Sequence, residues 1–484
     1  MDKSPRILFL IGVAASLASP AFAASKNTTT LSDPRVDLLE QQLRDVQQQL
    51  AEIKRKPADD GAALSDLKRS TSAHYADMNI RLAAQPRVGM DNGRLTFASA
   101  DNAFTLSLRS LIQFDYGYFA QGRNPADVDL SSGSNFRRAQ FGFFGTAWRD
   151  WSYNFTYDFG GRGAEKNGYV YVGFLEYDGL KPLGFRAGAF STPAGLDDST
   201  TGADLMFLER ATAADIAGGI AGAPGREGVS VFAQGDRYLV SVALTGKKTT
   251  EGGAFDAQQA IVTRAVWLAV NQSGVKWLLD ADFTRVLKPA DTAPNSNSGT
   301  FSLSNGPELT VDGTKTVDTG ILDARNVTEW GLETALSAGP FHGQGGYFHY
   351  EIERRIAVPN PDFSGWYALA TWSLTGETHV YDPVVAVFHG LKPDKPLGTQ
   401  GGWGAWELKA RYSSTDLDYQ PLLGAASGGV AGGVQDIWTV GVNWFPTYGL
   451  RFALDYSDIQ VNHINAPATD ISASAIALRS QVSF

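Results

Sequence analysis

From about Leu95 to the C-terminus, apolar and polar residues alternate with a period of two. In the last segment Ile476, Leu478, Val482 and Phe484 share one face, while Arg479, Gln481 and Ser483 share the other. Leu450, Phe452, Leu454 and Tyr456 alternate with Arg451, Ala453, Asp455 and Ser457. Trp406, Leu408, Ala410 and Tyr412 alternate with Glu407, Lys409, Arg411 and Ser413, and Tyr153, Phe155, Tyr157 and Phe159 with Asn154, Thr156 and Asp158. Successive side chains of a strand point to opposite faces, so each run predicts a strand with one apolar and one polar face. A soluble sandwich would alternate in the same way. Two features favour a bilayer instead. The runs are about ten residues long, which suits a tilted membrane-crossing strand. Aromatic residues also gather at their ends, as at Trp148, Trp151, Trp403, Trp444 and Tyr448, where an interfacial girdle forms. The expectation is an all-β fold: a transmembrane antiparallel β-barrel of about sixteen strands over residues 95–484, a size that leaves an aqueous channel.

Ahead of the barrel the period becomes 3.5. Val36, Leu43 and Leu50 form one set and Leu39, Val46 and Ile53 the other, three heptads within 35–56. That is the seam of a short α-helical coiled coil, with the number of its helices left open. Pro57 interrupts it, and a weaker helical stretch follows near Leu64 to Leu82. Residues 24–94 thus read as a periplasmic linker carrying the coiled coil. Lys3 and Arg6, the uncharged apolar run Ile7 to Ala18, and Ala21-Phe22-Ala23 predict a signal peptide over 1–23, cleaved after Ala23.

Composition narrows the function. With 41 Lys+Arg against 51 Asp+Glu the formal charge is −10, the opposite of the basic face that nucleic acid requires. The chain has 52 Gly, 17 Tyr and 27 Phe, yet its mean hydropathy is −0.17. Strands with one lipid face and one wet face produce that combination. Cysteine is absent, so thiolate metal sites and cysteine nucleophiles are excluded. A Gly-x-Ser-x-Gly elbow is also absent and the histidines are scattered. His342 and His349 are seven apart, on opposite faces of one strand. We expect no cofactor, no metal and no catalysis.

Short connections such as Arg149-Asp150 and Pro446-Thr447-Tyr448 are expected on the periplasmic side. The longer segments Ser191 to Gly225, Ala290 to Arg325 and Tyr381 to Gly401 should lie outside or fold into the lumen. Strand parity nominates Arg138, Lys409, Arg411, Arg451 and Arg479 as lumen-facing cations, with Arg109 ambiguous, and Asp158, Asp280 and Asp282 as inward acids. The other reading of each charge is a cross-strand ion pair, with neighbours such as Glu407 or Asp455.

Five segments stand in order along the barrel: Phe136-Arg137-Arg138-Ala139, Trp372 to Glu377, Trp406 to Ser413, Gly441 to Phe445, and Leu478 to Phe484. In sequence and spacing they resemble the O/P-type phosphate-selective porin family. The resemblance runs from about Phe104 to Phe484. It implies a sixteen-stranded trimeric porin of the Gram-negative outer membrane, embedded in lipid and lipopolysaccharide. Its third extracellular loop would narrow the pore for small solutes or ions, phosphate and other anions among them. It also implies that Phe484 is a signal for the outer-membrane assembly machinery. The coiled coil then becomes a trimeric periplasmic extension, and a structural role would have it bridge toward peptidoglycan. The resemblance places Gly188 to Asp198 at the passage into the constriction loop, where phosphate-selective members carry a basic residue at the position of Asp198 and often another at Ala189. Here the loop holds Asp197, Asp198, Asp204, Glu209 and Asp215 against Arg210 alone. Fixed carboxylates repel a phosphate dianion, so a sugar- or cation-preferring pore fits these residues as well. Phe190 and Phe207 are expected to pack the loop against the wall rather than to form a sugar track.

Overall fold

The computed structural model describes residues 34–53, 60–91, 93–123, 128–160, 168–252, 256–293, 299–399 and 401–484. The signal peptide expected over 1–23 and the last residues of the expected coiled coil lie outside them. The chain forms two compact units, Met1–Ala83 and Ala84–Phe484.

In the first unit the heptad segment is a helix, α1 (Pro34–Ile53), followed by α2 (Asp60–Ala83). Leu39, Leu43 and Leu50 remain 52%, 60% and 46% exposed. Among the described residues, this apolar seam stays half exposed. The side chains of Val36 and Ile53 lie outside the described residues.

The second unit opens with a hairpin, Arg87–Asp91 and Arg94–Ala98, whose second strand pairs with the start of the barrel, Thr96 opposite Ser107. The sheet therefore begins before residue 95. Sixteen barrel strands follow. They are β1 (Thr105–Arg123), β2 (Gly133–Ala147), β3 (Trp151–Asp158), β4 (Tyr169–Leu180), β5 (Leu183–Thr192), β6 (Ala223–Gly235), β7 (Tyr238–Lys248) and β8 (Gln259–Gln272). The second half comprises β9 (Val275–Lys288), β10 (Asn326–Ala338), β11 (Phe341–Glu353), β12 (Asp362–Ser373), β13 (Ala405–Tyr419), β14 (Val430–Thr447), β15 (Leu450–Asn462) and β16 (Ile471–Ser483). Every neighbour is antiparallel, and β16 returns to β1 with Leu478 opposite Tyr116, so the sheet closes and no barrel edge is left unpaired.

The outer wall is apolar: Trp267, Leu332, Val242 and Leu454 are exposed while their strand neighbours turn polar groups inward. Those outward side chains meet lipid, and the period-two pattern exists because the two faces meet different media. Tight turns close one end. Gly274, Gly339 and Gly449 take left-handed backbone there, a conformation that residues with a Cβ rarely adopt.

One connection departs from expectation. The segment 374–404 joins β12 to β13 on the short-turn end, which is also the end carrying the C-terminus. It is an inward fold from the periplasmic side, and not an extracellular loop. Length alone cannot assign a side; only strand count does.

Candidate functional site

Three segments enter the lumen. The loop 193–222, between β5 and β6, carries α3 (Leu196–Ser199) and α4 (Thr212–Ala221). Ala213, Ile216, Ala217, Ile220 and Ala221, at helical spacing, give α4 an apolar surface, and Ala213, Ala217 and Ile220 pack among Tyr350, Ile352 and Phe363 of the wall. Gly365 on β12 makes room, since a Cβ there would come within 2.6 Å of the Ala213 methyl. The Tyr350 hydroxyl donates to the Ala213 carbonyl at 2.6 Å. The second segment, 289–325, descends from the long-loop end. Its Glu308 accepts from the Thr212 N–H at 2.8 Å and from the Ser413 hydroxyl at 2.7 Å, and pairs with Arg411. The third is 374–404, whose Val385 and Ala386 carbonyls both accept from Arg264 at 2.9 Å.

The wall has two charged sectors. Arg137, Arg138, Lys409, Arg411, Arg451 and Arg479 lie on β1's side of the barrel, on β2 and β13 to β16. Asp280, Asp282, Glu329 and Glu333 lie across the lumen on β9 and β10. The five cations nominated from parity are all buried here, but they are not open to the lumen. Arg479 forms a bidentate pair with Asp115 at 2.7 and 2.6 Å and also reaches Glu209 at 3.1 Å. Lys409 pairs with Asp455 at 2.7 Å and donates to the Met206 carbonyl at 2.8 Å. Arg451 donates to the Leu205 and Met206 carbonyls, and Arg411 to that of Glu209 at 2.8 Å. Arg138 donates to Gln113 at 2.6 Å. These side chains fasten the stretch 205–209 by its carbonyl groups, which satisfies backbone that would otherwise be buried without partners.

The loop acids divide the same way. Glu209 bridges Arg137, at 2.6 and 2.8 Å, and Arg479. Burial opposes its ionisation, but the guanidiniums of Arg137, Arg138 and Arg479 overcome that and hold the carboxyl well below the usual range. Asp197 accepts from the Ala211 N–H at 3.2 Å and Arg210 donates to the carbonyls of Asp197, Asp198 and Thr200. Asp198 faces Arg210 at 4.0 Å, yet burial still pushes its carboxyl up to about 6. Asp204 binds His389 at 3.1 Å, and the other ring nitrogen of His389 binds Asp382 at 3.1 Å. The hydrogen bonds to Asp204 and Asp382 raise the imidazole to about 10, so it is a cation at neutral pH that clasps the periplasmic inward fold to the constriction loop.

Glu333, on the acidic sector, accepts from the Asp197 N–H at 3.2 Å and from the Leu196 N–H, and receives the Tyr367 hydroxyl at 2.5 Å. Asp280 is paired to Arg264 at 2.6 Å, and Asp158 accepts from the Ala139 N–H at 3.0 Å. Neither is a free pore acid. Phe207 lies between Lys409 and Arg411, 4.8 and 4.5 Å from the ring centre, and Phe190 is buried, so both pack the loop. His342 is buried inside, whereas His349 lies against Trp330 on the outer face.

Arg137, Asp115, Glu308, Glu333 and His389 escaped the sequence reading. A register shift at Gln113/Phe114 sets Arg137 opposite no residue and lets two consecutive arginines turn inward, which a strict period of two forbids. The tandem in Phe136-Arg137-Arg138-Ala139 was the one visible signal.

On the periplasmic side of the loop a cavity of about 580 Å³ remains, lined by Arg94, Arg109, Asp198, Arg210, His389 and Lys392 among others. A closed barrel narrowed by inward segments and opening on such a vestibule is the geometry of a gated-size diffusion channel. The comparisons agree. Porin O of Pseudomonas aeruginosa is 25% identical over 413 residues, covering 81% of this chain and 91% of that protein. The high-pH structure of Pseudomonas putida OprB matches with a TM-score of 0.50 at 10% identity, covering 79% of this chain and 95% of that one. The anion-selective porin from Comamonas acidovorans matches with a TM-score of 0.45 at 10% identity, over 79% of this chain and 100% of its own. The family model for phosphate-selective porin O and P matches residues 104–484. The chain is therefore an outer-membrane channel of a Gram-negative bacterium and belongs to the phosphate-selective porin O and P family.

Proposed function

We propose that this porin passes small hydrophilic solutes by passive diffusion with a mild preference for anions, and that phosphate specificity does not reside in its constriction loop. The observation carrying this reading is the charge of the vestibule. Asp204 and Asp382 share His389, which leaves one negative charge, and Arg210 is matched by Asp198. Arg94, Arg109 and Lys392 line the same cavity and outweigh that one charge. A low-dielectric mouth of one sign concentrates counter-ions. Where the phosphate-selective pattern has a base, Asp198 stands, so the narrowest part does not select the dianion. The lumen-facing roles of Arg138, Lys409, Arg411, Arg451 and Arg479 are read as positioning the loop. Phe484 serves assembly, and no step of catalysis is needed.

The chain is read as a homotrimer, supported by the exposed seam of α1 and by the trimer form in which Vibrio cholerae OmpT has been solved. The domain reading follows: signal peptide 1–23, periplasmic coiled coil within 24–94, barrel thereafter. Planar-bilayer recording of the purified chain tests the proposal. Discrete steps with a reversal potential of anion sign in a potassium chloride gradient are expected. A cation-signed potential would refute the preference while leaving the channel in place.

A further inference from the structure

Most buried charges of the lumen meet an opposite charge: Arg479 meets Asp115, Arg411 meets Glu308, Lys409 meets Asp455 and Arg264 meets Asp280. The acidic sector of β9 and β10 breaks that pattern. Register sets Asp280, Asp282 and Thr284 of β9 opposite Glu333, Gly331 and Glu329 of β10. Asp282 is 5% exposed, and Glu329 and Thr284 are fully buried. Among the described residues no hydrogen bond reaches either carboxylate oxygen of Asp282 or of Glu329, the Thr284 hydroxyl, or Oδ1 of Asp280. The charges acting most strongly on Glu329 are Glu333 and Asp198, and on Asp282 they are Glu329 and Asp280, all of the same sign. Arg264, already held by Asp280, acts on Asp282 less strongly. Gly331 leaves room between Glu329 and Glu333, and Oδ1 of Asp282 lies where a Cβ at that position would stand. The constriction loop enters on top of these groups. At Gly195 a Cβ would meet Oε2 of Glu333 and come within 3.3 Å of Oδ1 of Asp282. Glu333 itself is occupied by the Leu196 and Asp197 N–H groups and the Tyr367 hydroxyl.

A buried carboxylate without donors is strongly unfavourable, and two side by side repel as well. A cation removes both costs, and the donors decide which cation. The chain has no thiolate to offer. Among the described residues no cluster of three or more His, Asp or Glu side chains is placed to hold a metal ion, which speaks against a zinc-type site. Hard oxygen donors remain, two carboxylates and a hydroxyl, whose formal charge of two matches a divalent ion. Ca²⁺ takes carboxylate oxygens singly or in pairs and tolerates irregular geometry, whereas Mg²⁺ retains several waters. Side chains this buried leave little room for those waters. We propose that Asp282, Glu329 and Thr284 form a calcium site where the constriction loop is seated on β9 and β10. The site goes beyond the diffusion reading and stands without it. Ca²⁺ there cancels two carboxylates beside the pore and steadies the Gly195 turn that rests on Asp282 and Glu333.

The test uses the full-length chain, stripped of divalent ions with EDTA, and Asp282→Asn/Glu329→Gln, with heat-modifiable mobility in gels confirming that both are folded. Thr284→Val, which keeps both carboxylates, is the second variant. Calcium chloride and magnesium chloride are titrated calorimetrically against each protein in detergent and concentrated potassium chloride, which screens acids on the surface. Wild type should take up a single Ca²⁺ per chain with a dissociation constant on the order of millimolar or tighter, and Mg²⁺ more weakly. The double variant should bind Ca²⁺ at least about tenfold more weakly, with Thr284→Val between the two. In bilayers with a potassium chloride gradient, chelation by EGTA should lower the anion-to-cation permeability ratio of wild type by about two- to fivefold and leave that of the double variant where it was. Equal affinity in the double variant, or Mg²⁺ bound as tightly as Ca²⁺, overturns the site. Absence of Ca²⁺ binding in wild type also overturns it and assigns a proton shared by Asp282 and Glu329 in its place. Calcium binding together with a cation-signed reversal potential would refute the anion preference and leave the site standing.

Discussion

At the scale of single residues the lumen separates groups that hold structure from groups that face solute. Glu209, bridged by Arg137 and Arg479, is structural. Its depressed carboxyl contributes stability above the ordinary carboxylate range, and that contribution is lost only as pH falls through the lowered value. Asp198 behaves in the opposite sense. Burial raises it to about 6, so it is ionised at pH 7.5 and largely neutral at pH 5. As it takes up a proton, Arg210 loses its compensation and the vestibule becomes more positive. The anion-to-cation permeability ratio should rise by about two- to fivefold between pH 7.5 and pH 5, the effect of one charge in a partly screened pore. Asp198→Asn should show the higher ratio at both values. Reversal potentials at the two pH values check this, and a flat wild-type profile would refute it.

At the scale of elements, three connections do the narrowing and each is fastened differently. The loop 193–222 is held by its carbonyls and by the apolar side of α4, 289–325 by Glu308, and 374–404 by Arg264 and the His389 clasp. A histidine held at about 10 keeps its contribution below the free-histidine range and through neutrality, and loses it as pH rises through about 10. His389→Ala should therefore free the periplasmic inward fold. Larger, noisier single-channel currents are expected for the variant between pH 6 and 8, with wild type quiet across that window. Wild-type noise should appear only as pH nears 10. Single-channel recording decides the matter, and a variant as quiet as wild type would mean that Arg264 suffices.

At the scale of the molecule, the helical unit and the barrel are separate compact bodies. The barrel closes on itself through β16 and β1. Removing residues 34–83 should leave the unit conductance unchanged. On the homotrimer proposed above it should weaken the oligomer, because Leu39, Leu43 and Leu50, exposed in the single chain, would no longer be available to pack against neighbouring copies. Unheated gel mobility against detergent and temperature, alongside conductance, measures both halves of this expectation.

Strand identity, the outward apolar face and the inward direction of Arg451 and Arg479 were legible in the residues, because lipid on one side and water on the other impose a period of two. The helix at α1 was legible for the same kind of reason, with 3.5 in place of 2. Other features needed the folded barrel. A register shift turned Arg137 inward, strand count moved 374–404 to the periplasmic end, and closure brought Asp115 beside Arg479 and Glu308 beside Arg411. Partners that far apart in sequence leave no local pattern. Parity can say that a charge points into the lumen; only the tertiary structure determines whether an opposite charge is already there to meet it.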